Sequence, residues 1–316
     1  MSRIARLLAP IACLAVAMSS PARADEVINV LTGGTSGVYY PIGVALSNIY
    51  AQEIPGVRVS VQATKASVEN LILLQQGRGE IAFTLGDTLA FARDGNDEAG
   101  FRMRLGNLRG IAAVYPNYIQ IVATASSGIR TLTDMKRKRL SVGASKSGTE
   151  LNARAVLGAA GLAYSDLGRV EYLPFDESIE MMRGGRIDGA IQSAGLGVSA
   201  IRDLASSMDV VVVEIPPAIV ATIGAPYVQA TIPGGTYRGQ ARPVATASIP
   251  NYLVTRADLP ANLVYAMTKS MFERLGELAV AHPAAGAIKL AHALDGMPIT
   301  LHPGAERYYR EKGLLR

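Results

Sequence analysis

Thr32-Gly33-Gly34-Thr35-Ser36-Gly37-Val38-Tyr39-Tyr40-Pro41 decides how the rest of the chain is read. It follows a short apolar run, Val27-Ile28-Asn29-Val30-Leu31, and opens into Ile42, Ala45, Leu46 and Ile49, spaced three and four apart. That spacing places the second group on one helix face, while the first run has the length and β-branched content of a strand. A strand that empties through glycines into a helix leaves backbone N–H groups without helical partners, all pointing at one spot. The aligned peptide dipoles add partial positive charge there, so the turn suits an anion. Thr35, Ser36 and Tyr39 add hydroxyls at the same mouth. A glycine turn capped by its own hydroxyls has the same pattern. A counterpart later in the chain favours the ligand reading.

Downstream, Arg58-Val59-Ser60-Val61-Gln62-Ala63 alternates as a strand, Thr64-Lys65-Ala66-Ser67 turns the chain, and residues 68–76 are helical. Gly77-Arg78-Gly79 stops that helix before a short apolar strand, Ile81-Ala82-Phe83-Thr84-Leu85, which ends at Gly86-Asp87-Thr88. Strands alternating with helices of this length predict an α/β fold of βαβ units around a largely parallel sheet. Ligands of such sheets lie beyond the carboxyl ends of the strands, where the loops at residues 33–39, 64–67 and 86–88 converge.

The later half repeats the plan. Arg139-Leu140-Ser141-Val142-Gly143 reads as a strand, Ala144-Ser145-Lys146-Ser147-Gly148-Thr149-Glu150 as a hydroxyl-rich turn, and Leu151, Ala155, Val156 and Leu157 as a helix ending near Gly161. Glu150 is placed to help cap that helix. Further on, Gly185-Arg186-Ile187-Asp188-Gly189-Ala190 echoes Gly77-Arg78-Gly79-Glu80-Ile81-Ala82. Each copy reads G-R-x-acid-x-A and is followed by a short strand and a glycine, Gly195 or Gly86. Two facing lobes of similar topology follow, with an anion-friendly helix start on each side of a cleft.

Two long apolar stretches, residues 110–122 and 244–254, are each interrupted by Pro-Asn-Tyr, at Pro116-Asn117-Tyr118 and Pro250-Asn251-Tyr252. A matched pair of extended crossings predicts hinge strands. Residues 25–118 and 249–316 then form lobe 1, residues 119–248 form lobe 2, and the helical tail from Pro260 packs on lobe 1.

Residues 1–24 read as a signal peptide: Arg3 and Arg6 precede an apolar core, and Ala22-Arg23-Ala24 is a small-x-small site with cleavage after Ala24. No later stretch reaches about eighteen uncharged apolar residues, so the mature chain is expected to be periplasmic without membrane insertion. The lone cysteine, Cys13, lies in the leader, which excludes disulfides, thiol catalysis and cysteine metal sites from the mature chain. Losing Arg3, Arg6 and Arg23 lowers 31 basic residues to 28 against 26 acidic ones, a net charge of +2. Bulk charge therefore makes no case for nucleic acid. Lys136-Arg137-Lys138-Arg139 reads as a solvated turn.

Catalysis finds little support. The histidines, His282, His292 and His302, all lie in the tail, away from both serine-bearing turns. Gly34-Thr35-Ser36-Gly37-Val38 departs from the G-x-S-x-G elbow at its last position. Ten-residue histidine spacings do not suit a metal site on one helix, and no phosphate- or dinucleotide-binding glycine motif is present. The expectation is a binding protein, not an enzyme, with no cofactor and no metal.

The chain resembles the TAXI-type solute-binding proteins, extracytoplasmic receptors of tripartite ATP-independent periplasmic (TRAP) transporters. The resemblance is carried by residues 32–43, Val114-Tyr115-Pro116, Lys138-Arg139-Leu140-Ser141-Val142-Gly143 with Ser147-Gly148-Thr149, Asn251-Tyr252-Leu253-Val254, and residues 301–309. It implies a two-lobed type II periplasmic-binding-protein fold, permease subunits of a TRAP transporter as partner, and glutamate, glutamine or a related small carboxylate as ligand. Lys65 and Lys146 depart from the family pattern, in which these ligand loops carry small or neutral residues.

A small acid between two lobes needs donors to its oxygens. Ser147, Gly148 and Thr149 are expected to take one carboxylate, faced by Gly34, Thr35, Ser36, Tyr39, Ser67 and Asn70 from lobe 1. Lys65 or Lys146 meets a second carboxylate, or is a solvated loop charge. Asp87 takes an ammonium group or caps a helix, and Gln192 bonds either end. Tyr115 is an apolar wall or packs at the hinge. An exported sensor subunit docking on a receptor kinase would use the same cleft.

Overall fold

The computed structural model describes residues 26–316. The signal peptide expected over residues 1–24, with Cys13, lies outside the described residues. The first half runs β1 (Glu26–Leu31), α1 (Tyr39–Glu53), β2 (Val57–Gln62), α2 (Ser67–Gln75), β3 (Ile81–Leu85) and α3 (Gly86–Asp94). After the long β4 (Leu108–Thr124), the second half runs β5 (Arg139–Ser141), α4 (Gly148–Ala159), β6 (Arg169–Glu171), α5 (Phe175–Arg183) and β7 (Gly189–Ala194). It continues with α6 (Ser199–Ser207), β8 (Val210–Val213), α7 (Pro217–Ile223) and β9 (Val228–Ile232). The chain returns on β10 (Val244–Arg256) and ends in α8 (Ala261–Glu273), α9 (Leu275–Ala281) and α10 (Pro303–Glu311).

The local reasons follow the sequence. In α1, Ile42, Leu46, Ile49 and Tyr50 are fully buried on one face. All five residues of β3 are buried, as a strand covered on both faces requires, whereas edge strand β2 alternates. The turn expected at Gly86-Asp87-Thr88 is instead the first turn of α3, which starts directly from β3. A Cβ on Gly86 would lie 3.0 Å from Pro250 Cγ, so only glycine fits this junction without displacement.

Instead of a separate sheet for each half, one hydrogen-bonded sheet runs β2-β1-β3-β10-β4-β7-β5-β6, with β8 on β4 and β9 on β10. Its flanks are parallel: β1 pairs with β2 and β3, and β5 with β6 and β7. The central pair is antiparallel, with Pro250 opposite Pro116. β4 and β10 join the halves because each is long enough to pair twice. Residues 118–123 of β4 turn to β7, and residues 244–248 of β10 turn to β9. Asn251 Nδ2 donates to Tyr115 O (3.0 Å) and Asn117 Oδ1 (3.1 Å), tying the two crossings together.

The G-R-x-acid-x-A echo has a common physical role. Glu80 Oε2 accepts the Asn29 N–H at 2.7 Å while Glu80 N–H donates to Asn29 O. Asp188 Oδ2 accepts the Arg139 N–H at 2.7 Å while Asp188 N–H donates to Arg139 O. Each acid thus extends the strand ladder by one carboxylate rung, between β1 and β3 or between β5 and β7. Each also meets an arginine: Arg256 at 3.1 Å and Arg139 at 2.6 Å.

The tail packs on the first half. Phe272 of α8 stacks on Tyr308 of α10 at 5.9 Å, and Tyr309 donates to Ile111 O of β4 at 2.7 Å. Among the described residues, no helix is long and apolar enough to cross a membrane.

Candidate ligand-binding cleft

A cavity of about 290 Å³ lies where the two halves face each other, at the small end of ligand-sized pockets. Four helices begin on it: α1 with Tyr39, α2 with Ser67, α4 with Gly148 and α5 with Phe175. Their first-turn N–H groups have no partner inside the helix, so positive dipole ends converge from both halves. Ser147 caps α4, its Oγ accepting the Glu150 N–H at 3.1 Å. The Glu150 side chain does not cap; its two oxygens take Arg154 Nη2 at 2.8 Å each.

Of the residues expected at the ligand, Gly34, Thr35, Tyr39, Lys65, Ser67, Tyr115, Ser147, Gly148 and Thr149 line this cavity. Lys65 is exposed at its rim and forms no ion pair among the described residues. Tyr39 lies flat on Phe83, with ring centroids 4.9 Å apart, and its hydroxyl donates to Asn251 Oδ1. Tyr115 is 2 % exposed, and its hydroxyl finds no hydrogen-bond partner among the described residues. Burial pushes both phenols well above their ordinary pKa, so both remain neutral donors at physiological pH.

Ser36, Asn70, Asp87, Lys146 and Gln192 lie outside the cavity lining, each for a local reason. Ser36 turns its carbonyl to Ser199 Oγ, which donates at 2.8 Å from the other half. Asn70 clamps strand ends: its Nδ2 donates to Thr32 O (2.7 Å) and Phe83 O (2.8 Å), and its Oδ1 accepts Thr64 Oγ1 at 2.7 Å. Lys146 is exposed, with φ +63°, and borders a second, inter-half depression with Glu98, Arg154 and Tyr172. Gln192 is fully buried on β7, and both its amide atoms lack a hydrogen-bond partner among the described residues.

Asp87 lies beneath the cavity at the junction of the halves. Its Oδ2 accepts from Asn152 Nδ2 (2.7 Å) and Tyr227 OH (2.6 Å), both contributed by the second half. Asn152 Oδ1 in turn accepts from Ser193 Oγ at 2.6 Å, and Ser193 lines the cavity. Burial raises the Asp87 pKa, opposed by the hydrogen bonds from Tyr227 and Thr88. This network, the Glu69 N–H to Lys146 O bond (3.3 Å) and the Arg154 to Glu98 O bond (3.0 Å) hold the halves against one another.

Sequence reasoning missed Phe175 and Asp176, which face the cavity from the start of α5, and Asn117 on the crossing strand. A signal existed. In the repeated β-α-β-α-β plan, α5 of the second half corresponds to α2 of the first, so its start is the counterpart of Ala66-Ser67. Ala66 itself stands at φ 70°, ψ −145°, a region ordinarily confined to glycine. Strain there costs of the order of 1–3 kcal/mol, and such strain gathers at ligand sites.

The cleft closed by two crossing strands is the architecture of periplasmic solute-binding proteins. PhnD1 of Prochlorococcus marinus, solved with methylphosphonate, superposes with a TM-score of 0.61 at 11 % identity, over 92 % of this chain and 99 % of that one. The binding protein component of an ABC phosphonate transporter from Pseudomonas aeruginosa gives 0.55 at 14 % identity, over 84 % and 80 %. The alkanesulfonate-binding protein SsuA from Xanthomonas axonopodis, bound to MOPS, gives 0.52 at 14 % identity, over 93 % and 96 %. Within this class of folds the chain belongs to the NMT1-like family, whose model matches residues 30–313.

Proposed function

We propose that the protein is an extracytoplasmic solute receptor that captures a small carboxylate between its halves and delivers it to a TRAP-type permease, without turnover. The observation that carries this reading is the meeting of four helix starts at one cavity that Tyr115 also lines, its buried hydroxyl without a hydrogen-bond partner among the described residues. In it, one carboxylate lies on the N–H groups of Gly148 and Thr149 and the Thr149 hydroxyl. Thr35, Ser67 and Tyr115 face it from the first half and the crossing strand, and Lys65 adds positive potential at the rim. Hydrogen bonds to a charged group contribute roughly 1.5–3 kcal/mol each, so three approach the about 8 kcal/mol of micromolar binding.

Binding proceeds by hinge closure. Residues 25–118 with 249–316 move as one lobe and residues 119–248 as the other, the crossings at Pro116 and Pro250 flexing between them. The fold of the solved neighbours, whose names record methylphosphonate and MOPS, suits small oxyanions; the TRAP partnership rests on the TAXI resemblance, and export on residues 1–24.

The test is calorimetric titration of the purified protein with small carboxylates, alongside assay for chemical change of each acid. Micromolar binding with the acid recovered intact is expected. A ligand at a hundredfold excess over Kd should add about 2.7 kcal/mol to stability. Absence of binding across the set would sink the receptor reading. For the partner, acid uptake in membrane vesicles carrying a TRAP permease should depend on added protein.

A further inference from the structure

We infer that the ligand is an acid with a single anionic head and an apolar body, not an acid carrying a second charge at its far end. This rests on the receptor reading above and narrows its ligand class. The head has its donors at the start of α4 and at Tyr115, a residue of the cavity lining whose buried hydroxyl has no hydrogen-bond partner among the described residues. Much of the remaining wall is apolar, with Val38, Tyr39, Leu85, Pro174 and Phe175 drawn from both halves, while Thr64, Asn117 and Ser193 add only neutral polar groups. No charged side chain is buried among the lining residues. Lys65 and Asp176, the charged groups on the cavity, are both exposed at the rim and carry opposite signs.

A second carboxylate on the ligand would therefore lie largely against carbon and ring faces, with no buried countercharge, after losing its water. An isolated charge in such surroundings is strongly disfavoured. At the rim it would meet only exposed charges of opposite sign, Lys65 and Asp176, and no buried countercharge. Lys146, the other cation expected to serve it, borders the separate depression instead. A branched aliphatic or aromatic body fills the same walls with a gain from every buried carbon.

The experiment is a calorimetric comparison of matched acids on the purified protein: 4-methylpentanoate and 3-phenylpropanoate against glutarate, and leucine and phenylalanine against glutamate. The apolar-bodied member of at least one set should bind ten-fold or more tightly than its dicarboxylic counterpart. Phe175→Ala should remove that preference by ten-fold while leaving the ligand-free melting temperature within a few degrees. Tyr115→Phe should weaken all members together, because it removes the head's donor and not the wall. If acids bind but the apolar-bodied member is favoured ten-fold in neither set, the inference is overturned and the receptor reading stands. If no acid of either kind binds, both fall together.

Discussion

Gly148, the first residue of α4, lies directly against Ser67, the first residue of α2, so two helix starts from opposite halves touch across the cleft. A Cβ on Gly148 would lie 2.7 Å from Ser67 Oγ and 2.6 Å from Leu85 Cδ1. The halves can approach this closely here because Gly148 lacks that carbon. Gly148→Ala should lower affinity for a bound acid at least ten-fold by propping the halves apart. The ligand-free protein should stay folded, since Leu85 Cδ1 and Ser67 Oγ are side-chain ends and the halves can part to make room for the added carbon. Small-angle scattering with saturating ligand should show a larger radius of gyration in the variant; an unchanged affinity would refute the contact's role.

The two lysines should separate cleanly. Lys65 stands on the cavity rim, whereas Lys146 borders the depression on the far side of the Ser145–Ser147 turn. Lys65→Ala should weaken acid binding two- to ten-fold, with the loss shrinking at high salt as expected for an exposed charge. Lys146→Ala should leave affinity within two-fold. Titrations of the two variants at low and high ionic strength check this; the reverse ranking would move the site.

Thr149→Val keeps the methyl group that packs at Gly143, where a Cβ would lie 2.6 Å from Thr149 Cγ2, and removes only the hydroxyl. Affinity should fall about ten-fold, or 1.4 kcal/mol. The melting temperature without ligand should move little, and calorimetry with thermal denaturation reads both quantities.

Asp87 should leave a signature in the pH dependence of stability. Its folded pKa is raised by burial, so the folded protein holds this proton more tightly than the unfolded chain. Stability from this group is therefore greatest below the ordinary carboxylate range and falls as pH rises through the folded pKa. Asp134, Asp166 and Asp188, whose pKa values are lowered, act in the opposite sense, with stability lost as pH falls through their folded values. Denaturant unfolding of wild type and Asp87→Asn from about pH 3 to 8 isolates the Asp87 part as a difference. Relative to the variant, the wild type should lose stability on going up in pH from about 4. A difference flat in pH would show Asp87 to ionise normally.

The paired acids Glu80 and Asp188 should behave alike despite lying 108 positions apart in the chain. Each accepts a strand N–H at 2.7 Å and holds an arginine. Glu80→Ala and Asp188→Ala should each cost roughly 2–3 kcal/mol, because a strand amide loses a charged acceptor. Urea denaturation measures it; a neutral effect at either would break the equivalence of the two halves.

Much of the fold was legible because it is built from local signals. Strand runs, helix spacing, glycine stops and the G-R-x-acid-x-A echo lie within short windows, and the matched Pro-Asn-Tyr segments announced the crossings. Single side chains were harder. From their place in a loop or helix start, Asn70 looks like a ligand donor and Asp87 like an acceptor for an ammonium group. Their bonds instead run to strand carbonyls and to Asn152 and Tyr227, which are far away in sequence. Phe175 and Asp176 escaped notice because Pro174-Phe175-Asp176 carries neither glycine nor hydroxyl, so nothing local marks it as a helix start at a cleft.

By itself, the sequence determined the α/β plan, its repetition and the helix starts able to receive an anion, because backbone geometry and hydrophobic periodicity act over a few residues. Only the tertiary structure decided which of those starts share one cavity, which lysine reaches it and that much of its wall is apolar. Those outcomes depend on how two halves joined by β4 and β10 come to face each other, and that is set by contacts between residues far apart in the chain, from 56 positions for Arg154 and Glu98 to 163 for Ser199 and Ser36.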